Sequence, residues 1–308
     1  MKVALFGGTG FVGAYIAEEL LKNNHDPHLL VRPGSEHKVF QPDKCKVNIG
    51  DLRDFETIEL IVKDSDAVIY NIGIIRQFPK KGITFEAIHF EGAKHCIDVA
   101  KYFGIKRFIL MSANEVKYDG TVYQSTKFLA DQYLKNTGLD WTIFRPSLIF
   151  GNPKGRQEFC SQLRDDMLSL PLPTPLFFKG FNPWNAGQFA MSPIHVKDVA
   201  SVFVKALNMK KTIGKIYELG GPESYNWIQL IDIISAASGK NKWKIPAPVT
   251  PIKLAASIFE RFPFFPITKD QLTMLLEGNT CDSTSSFKFF EVDPISFSTE
   301  NLEYLAPK

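Results

Sequence analysis

The sequence has little cysteine. Its 308 residues include four, Cys45, Cys96, Cys160 and Cys281, and no two of them have the Cys-x-x-Cys spacing of a zinc site or a redox motif. We therefore expect no disulfide framework and no metal centre. A reducing compartment, the cytoplasm, is the expected location.

The sequence also lacks a long hydrophobic run and an excess of one charge. No stretch approaches the about 20 apolar residues that span a bilayer, and the apolar run Val3–Phe6 meets a glycine too early for a signal peptide. The chain has 36 Lys and Arg against 33 Asp and Glu, for a formal net charge of +3. This balance argues against a nucleic-acid partner, which requires clustered basic residues.

Short apolar runs alternate with longer amphipathic ones in the first half of the chain. These runs are β-rich and carry no interior charge, as in strands covered on both faces: Val3–Phe6, His28–Val31, Ala67–Tyr70, Phe108–Met111 and Thr142–Phe144. A further strand is predicted over Cys45–Ile49. Apolar residues at helical spacing lie between them. Strand–helix alternation predicts an α/β fold with a doubly wound parallel sheet.

The alternation ends after Gly151. Proline-rich stretches at 171–175 and 246–251 are typical of stiff connectors, and helical patterns cover Val196–Leu207, Ile228–Ser238 and Lys253–Arg261. We therefore predict a nucleotide-binding domain over residues 1–151 and a smaller, mainly helical substrate or partner lobe over residues 152–308. The chain is expected to return to the first domain around residues 187–222.

A glycine-rich turn joins the first predicted strand to the first helix. It satisfies G-x-G-x-x-G, in which glycines permit a tight turn, close approach to a pyrophosphate and close helix packing. The helix N-terminus then offers free amides to phosphate. The predicted dinucleotide contacts are Gly7, Gly8, Thr9, Gly10, Phe11, Val12 and Gly13.

Arg32 ends the second predicted strand, where NAD-preferring sites usually carry a carboxylate. A guanidinium there suits a 2′-phosphate, so NADP(H) is expected to be favoured over NAD(H). The ends of the next two strands should line the adenine and the middle of the dinucleotide, with Asp51, Leu52, Asn71, Ile72 and Gly73. Asp51 has a second interpretation, as the cap of the following helix.

Tyr123 and Lys127 are one helical turn apart, soon after a predicted strand. A nearby cation is expected to lower the pKa of a phenol and so make it a general acid/base. The spacing alone says little, because Tyr102–Lys106 and Tyr304–Lys308 also have it; the position after the strand distinguishes Tyr123.

These motifs, in this order, resemble the short-chain dehydrogenase/reductase superfamily in its extended or atypical, NAD-dependent epimerase/dehydratase-like branch. Arg145–Gly151, Pro193–Val199 and Tyr217–Pro222 extend the match. More narrowly, Gly73–Arg76, Thr84–His89, Gly138–Pro146 and Pro266–Gln271 are similar to bacterial relatives of the nucleotide-binding accessory subunit of respiratory complex I.

The resemblance implies a Rossmann fold, with Tyr123, Lys127 and Ser112 as catalytic residues and Tyr123, Lys127 and Pro146 in contact with the cofactor. Ser112 is the only hydroxyl in Met111–Asn114, and the family's catalytic position falls on Ala113 or Asn114 in another alignment. His89 stands where extended members often carry asparagine. These departures concern turnover and leave cofactor binding unaffected.

Two functions follow. One is an oxidoreductase or epimerase that acts on an unidentified carbonyl or alcohol, linked by resemblance to quinone biosynthesis or the respiratory chain. The other is a catalytically silent dinucleotide-binding protein that supports assembly of a respiratory complex. A third, a redox-sensing regulator, has no DNA-binding module to support it.

An apolar helical stripe is predicted between Lys253 and Ile267. It comprises Leu254, Ala255, Ile258, Phe259 and Phe262, and Phe264 and Phe265 follow between two prolines. Two interpretations stay open: the stripe packs inside the lobe, or it docks the protein peripherally on a membrane or a membrane-bound partner.

Overall fold

The computed structural model describes residues 1–260 and 267–307. The chain forms two compact units. Unit 1 comprises Met1–Pro146, Val196–Leu219 and Thr284–Asp293, and unit 2 comprises Ser147–His195, Gly220–Ser283 and Pro294–Lys308. A return to the first domain was predicted around residues 187–222. In unit 1, two later segments, Val196–Leu219 and Thr284–Asp293, join the first 146 residues.

The first 146 residues alternate strands and helices. The strands are β1 (Lys2–Phe6), β2 (Asp26–Val31), β3 (Lys46–Ile49), β4 (Ala67–Tyr70), β5 (Arg107–Met111) and β6 (Asp140–Pro146). The helices are α1 (Phe11–Lys22), α2 (Phe55–Val62), α3 (Gly92–Tyr102) and α4 (Val122–Lys135). A π-helical turn, Glu86–Glu91, leads directly into α3.

The remaining elements belong to both units. The strands are β7 (Ile149–Phe150), β8 (Thr174–Phe178), β9 (Ala190–Met191), β10 (Ile194–His195), β11 (Lys215–Leu219), β12 (Tyr225–Asn226) and β13 (Lys244–Pro248). The helices are α5 (Phe159–Leu163), α6 (Val196–Asn208), α7 (Trp227–Ala237), α8 (Val249–Phe259), α9 (Lys269–Glu277) and α10 (Thr284–Phe290).

Unit 1 is built on one seven-stranded sheet in the order β11-β6-β5-β4-β1-β2-β3. Every pair in it is parallel, which confirms the predicted doubly wound α/β class. The order reverses between β1 and β4. The carboxyl ends of strands on either side of such a reversal form the ligand crevice of this fold.

Both faces of the sheet are covered by helices. On one face, α2, α3 and α4 bury apolar side chains against the strands, among them Ile61, Ile97 and Leu134. On the other, α6 and α10 contact the ring of Phe144: the Phe203 centroid lies at 4.6 Å and the Phe290 centroid at 5.8 Å. Burial on both faces explains why the fully buried stretches Val3–Phe6, Ala67–Tyr70 and Phe108–Leu110 contain no charge.

Unit 2 has its own core around Trp227, which is fully buried and donates its indole N–H to the carbonyl of Pro175 at 3.0 Å. Around it lie α5, α7, α8, α9 and three short strand pairs, β7–β10, β9–β12 and β8–β13. The prediction of a connector at 246–251 was wrong. Pro246 and Pro248 lie in β13, which pairs in parallel with β8; proline is compatible with such an edge because its missing N–H faces away from the partner.

The described part of the predicted apolar stripe lies on α8. Leu254 is 65% exposed, Ile258 50% and Phe259 42%, whereas Ala256 is buried. Arg261, Phe262, Phe264 and Phe265 lie outside the described residues, so the interpretation of the whole stripe stays a prediction. In the described ranges, no helix combines the length and apolar character that crossing a membrane requires.

Candidate functional site

The glycine turn lies at the carboxyl end of β1, with its glycines close to neighbouring backbone. Gly7 has a φ of +95°, and a Cβ there would lie 3.0 Å from the carbonyl group of Asn71. A Cβ on Gly13 would lie 2.0 Å from the Gly7 oxygen. Gly10 precedes α1 in an extended conformation and brings no side chain to cap it. The first-turn amides of α1, at Phe11 to Gly13, therefore remain available to a phosphate.

The ends of β2 and β3 carry two guanidinium groups. Arg32 is exposed directly after β2. Arg53 donates from Nε and Nη2 to the two carboxylate oxygens of Asp51, at 2.7 and 2.9 Å. The hydrogen bond from Arg53 and the charge of Arg32 contribute to a lowered pKa of Asp51. Arg53 was missed by the sequence analysis, because nothing in its spacing distinguishes it from a solvated surface arginine.

The helix-capping interpretation of Asp51 was wrong. The side chain that caps α2 is Asp54, which accepts from the Glu56 amide at 3.1 Å and from the Thr57 hydroxyl at 2.6 Å. Leu52 is buried and packs in the core beneath the site. The carboxylate of Asp51 thus forms an ion pair with Arg53, just after the carboxyl end of β3.

The segment after β4 lies beside the glycine turn. The Asn71 amide donates to the Phe6 carbonyl at 2.9 Å, and Asn71 Oδ1 is buried with no hydrogen-bond partner among the described residues. Ile72 packs against the core. Gly73 is exposed, and a Cβ on it would lie 3.7 Å from Lys127 Nζ. A buried acceptor without a partner is costly unless a ligand satisfies it.

Helix α4 begins with a capping box and presents the predicted tyrosine and lysine on one face. Thr121 and Gln124 form the box, each accepting from the other's backbone amide. Lys127 is buried, and its Nζ donates to the Met111 carbonyl at 3.1 Å and lies 5.9 Å from the centre of the Tyr123 ring. Among the described residues, the Tyr123 hydroxyl makes no hydrogen bond.

The expected lowering of the Tyr123 pKa is not found. Burial raises the pKa of Tyr123 to about 12, and burial lowers the pKa of Lys127 to about 8, a fall that the nearby Asp131 carboxylate opposes. Desolvation disfavours the charged form of each group. This desolvation outweighs the attraction between a Tyr123 phenolate and the Lys127 ammonium, because the ammonium lies near the face of the ring and not at the phenol oxygen.

Asp131 continues the four-residue spacing of Tyr123 and Lys127. It is fully buried, and its Oδ2 accepts from Arg145 Nε and Nη2 at 3.0 and 2.9 Å. These two hydrogen bonds form an ion pair between Arg145 and Asp131. Burial raises the pKa of Asp131, while the charges of Arg145 and Lys127 oppose the rise. The repeating spacing would have revealed Asp131 from sequence alone.

Ser112 follows β5 directly and is buried. Its amide donates to the Phe144 carbonyl at 2.8 Å, which fixes the backbone. Ser112 Oγ and the second oxygen of Asp131 are both buried without a hydrogen-bond partner in the described ranges. Pro146 ends the neighbouring β6 and accepts from the Asn114 amide at 3.0 Å. The structure thus brings Ser112, Pro146 and Lys127 to the same edge of the sheet.

His89 lies in the π-helical turn against the tyrosine ring. The two rings meet edge to face with centroids 5.1 Å apart, and Phe85 stacks on the imidazole at 5.2 Å and meets the Tyr123 ring edge to face at 5.7 Å. His89 Nε2 accepts from the Ile74 amide at 3.0 Å, so the proton is on Nδ1, 3.3 Å from Thr126 Oγ1. Burial, with the Lys127 charge, holds the pKa of His89 well below its usual value. His89 is a neutral, oriented support for Tyr123.

Comparison with known proteins agrees with this geometry. A family model described as NAD(P)H-binding matches residues 7–167, just over half of the chain. The chain belongs to this NAD(P)H-binding family. The matched range contains the glycine turn and the tyrosine–lysine pair.

This NAD(P)H-binding protein is also similar over nearly its whole length to a respiratory-enzyme subunit and to an assembly factor. It is 26% identical to the mitochondrial NADH-ubiquinone oxidoreductase 40 kDa subunit of Neurospora crassa, over 98% of this chain and 78% of the relative. It is 22% identical to the photosystem II assembly factor Ycf39 of Synechocystis sp., over 97% and 88%. These relatives confirm the resemblance to the complex I accessory subunit.

Among solved structures, the UDP-glucuronic acid 4-epimerase of Bacillus cereus, crystallised with UDP-glucuronic acid and NAD, superposes with a TM-score of 0.70. The two chains are 18% identical, and the alignment covers 99% of this protein and 98% of the epimerase. At this identity the likeness establishes the fold, and function has to be argued from the site.

Proposed function

We propose that the protein is an NADP(H)-dependent oxidoreductase that interconverts a carbonyl and an alcohol. The observation that carries this proposal is that the Tyr123 hydroxyl, unbonded among the described residues, lies near the buried Lys127 at the carboxyl edge of the sheet. Tyrosine serves as a general acid when its hydroxyl reaches the reacting oxygen.

The residues present fit a dinucleotide. The first-turn amides of α1 and the glycine turn would hold the pyrophosphate, Arg32 a 2′-phosphate, and Lys127 the ribose. Asn71 Oδ1, which is buried without a partner in the described residues, offers an acceptor to a cofactor N–H or O–H. When bound, the nicotinamide supplies or accepts the hydride.

The side chains of the chain itself would then handle the proton. Tyr123 donates its hydroxyl proton to the carbonyl oxygen as the alcohol forms, and the Lys127 ammonium stabilises the resulting phenolate. Ser112 Oγ, which lacks a partner among the described residues, orients the same oxygen by donating to it. His89 and Phe85 hold the tyrosine ring in place.

Replacement of Tyr123 by phenylalanine tests the proposal. NADPH affinity should stay near that of the wild type in Tyr123→Phe and fall in Lys127→Ala, because only the lysine would contact the ribose. Turnover of a substrate found by screening carbonyl compounds should fall at least about 10²-fold in Tyr123→Phe. Binding is measured by calorimetry and turnover by NADPH absorbance. Full turnover in Tyr123→Phe would contradict this mechanism.

A second candidate is a dinucleotide-binding protein that assembles or stabilises a membrane-bound respiratory complex. It is favoured by the Tyr123 pKa of about 12, which disfavours the phenolate, and by the names of the relatives, a complex I subunit and a photosystem assembly factor. In this case the protein would lie at the cytoplasmic face of a membrane. NADPH binding without turnover of any carbonyl or quinone substrate, together with co-purification of a respiratory complex, is the expected result.

A further inference from the structure

Large apolar side chains stand out from one region of unit 2. Phe181 is fully exposed, Trp184 is 88% exposed and Trp243 83%. Leu172, 62% exposed, lies a few residues before β8, and Ile245, 48% exposed, lies in β13. We call Leu170, Leu172, Phe181, Trp184, Trp243 and Ile245 the aromatic rim. Isolated exposed apolar residues are ordinary, but a cluster that includes two tryptophans marks an interaction surface.

The rim is one surface because the strand pair β8–β13 draws its segments together. Thr174 donates its amide to the Trp243 carbonyl at 2.7 Å, which places Trp243 beside the start of β8. Lys242 Nζ donates to the carbonyls of Leu170 and Leu172. The turn Pro183–Asn185, which carries Trp184, packs against β13. Residues 243 and 245 project to the same side, since side chains alternate along a strand.

The charge around the rim has one sign. The two stretches that build it and the start of α8, residues 167–190 and 233–259, contain no Asp or Glu. They contain five lysines: Lys179, Lys240, Lys242, Lys244 and Lys253. Lys244 pairs with Asp232, just outside these stretches. With a net charge of only +3 over the whole chain, this is a local concentration of positive charge.

We propose that the aromatic rim docks on the headgroup region of an anionic phospholipid bilayer. Protruding tryptophan and phenylalanine side chains insert between headgroups, where an amphipathic indole is at its most stable. Lysines around them meet the negative surface potential of the membrane. The partner is a bilayer because these side chains project into solvent and the two stretches that build the rim contain lysines and no carboxylate. The inference is independent of dinucleotide binding.

Vesicle flotation with the full chain tests the proposal directly. The protein should float with vesicles of phosphatidylcholine containing about one-third phosphatidylglycerol, and much less with phosphatidylcholine alone. Tryptophan emission should shift to the blue on binding, because Trp184 and Trp243 are exposed whereas Trp227 is buried. Failure to float with either composition, under conditions where calorimetry still detects NADPH binding, would overturn the proposal without touching the proposed oxidoreductase function.

Two variants and a matched control assign the surface. Trp184→Ser with Trp243→Ser should weaken vesicle binding at least about tenfold. Lys179→Glu with Lys240→Glu should weaken it about 25-fold or more. Tyr102→Ser with Tyr118→Ser removes equally exposed aromatics from unit 1, 80% and 72% exposed, and should leave vesicle binding unchanged. Equal losses in the control and the rim variants would show non-specific adsorption and contradict the assignment. NADPH affinity and thermal midpoint verify that each variant is folded.

Discussion

Lys127 is held at the base of the site by the hydrogen bond to the Met111 carbonyl. Burial lowers its pKa to about 8, from 10.5 for an unperturbed lysine. The folded state therefore releases this proton more readily than the unfolded chain. Below about pH 8 both states carry the proton, and the full cost of burying the ammonium, of order 3 kcal/mol, is present.

That cost predicts how stability depends on pH. Between the folded and unfolded pKa values the unfolded chain binds more protons, so the free energy of unfolding should rise as the pH increases from about 8 towards 9.5. Urea denaturation at several pH values measures the rise. It should disappear in Lys127→Met and persist in Lys101→Met, a change at an exposed position on α3. A rise of equal size in Lys127→Met would contradict the assignment.

Arg32 predicts the choice of cofactor. Its guanidinium can make charge-assisted hydrogen bonds to a 2′-phosphate, each of about 1.5–3 kcal/mol, so NADPH should bind more than about tenfold more tightly than NADH. Arg32→Ala should remove this preference while affecting NADH little. Calorimetric titration with both dinucleotides gives the ratio.

The lysine Lys38, in the loop after Arg32, provides the control for this measurement, since it is exposed on a separate turn. Lys38→Ala should retain most of the NADPH preference. Equal affinities in the wild type, or a selectivity that survives Arg32→Ala, would exclude the arginine as its origin. If Arg53 is the source of the NADPH preference, Arg53→Ala should lose that preference and Arg32→Ala should keep it.

Single residues of the site were predictable where chain order alone decides their place. The glycine turn, Asn71 and Ser112 directly follow strands, and the carboxyl ends of parallel strands lie at one edge of the sheet. The low pKa of His89 and the high pKa of Tyr123 were not predictable, because each depends on burial by side chains distant in sequence. The pKa of a site residue depends on how deeply it is buried, and a short sequence motif does not contain that information.

At the scale of elements, the contact between β1 and α1 depends on the lack of a side chain at Gly13. An alanine Cβ there would lie 2.0 Å from the Gly7 oxygen and 2.9 Å from the Gly8 Cα, both backbone atoms. Gly13→Ala should therefore shift α1 off β1, reduce the free energy of unfolding by about 3 kcal/mol and abolish NADPH binding. Urea denaturation and calorimetry measure the two effects.

Gly73→Ala is the matched control for stability. Its added Cβ would meet Lys127 Nζ at 3.7 Å, an ordinary van der Waals distance, so the free energy of unfolding should change by no more than about 0.5 kcal/mol. A loss as large as that of Gly13→Ala would mean that glycine flexibility, and not the close approach of α1 to β1, explains the effect.

Strands β1 to β6 of the central sheet were predicted to within a few residues, because burial leaves short apolar runs in the sequence. The seventh strand, β11, was not predicted. β13 was not, because the proline content of Lys244–Pro248 favours a connector on local grounds. Its pairing with β8 joins segments about seventy residues apart, and no local pattern carries that information. The start of α8 at Val249, before Pro251, was missed for the same reason. Proline fits the first turn of a helix, because backbone N–H groups in that turn have no acceptor within the helix.

At the scale of the whole molecule, the chain passes between the two units five times, after Pro146, His195, Leu219, Ser283 and Asp293. Neither unit is a continuous segment. A cut after residue 151 separates β6 from its neighbour β11 and the ring of Phe144 from Phe203 and Phe290. The predicted return around residues 187–222 contains β11 and Phe203 but not Phe290. The order of β1 to β6 along the sequence is enough to predict the fold class. The last strand, β11, and the covering helices α6 and α10 come from segments distant in sequence.

A fragment of residues 1–151 should therefore fail to fold by itself. It lacks β11, α6 and α10, which leaves one edge of the sheet unpaired and much of one face uncovered. We expect no cooperative transition in urea and strong binding of an apolar dye, in contrast to the full chain. Circular dichroism and dye fluorescence make the comparison. A cooperative transition with the midpoint of the full chain would show that the first 151 residues are autonomous.

The late arrival of β11 has a consequence during translation. β6 is complete once Pro146 has emerged, but its outer edge has no partner until Lys215–Leu219 has left the ribosome. At the usual pace of about 5–20 residues per second, the nascent chain presents an open strand edge for several seconds. Such an edge pairs readily with other chains, so the yield of native protein should depend on chaperones that bind the growing polypeptide during that interval.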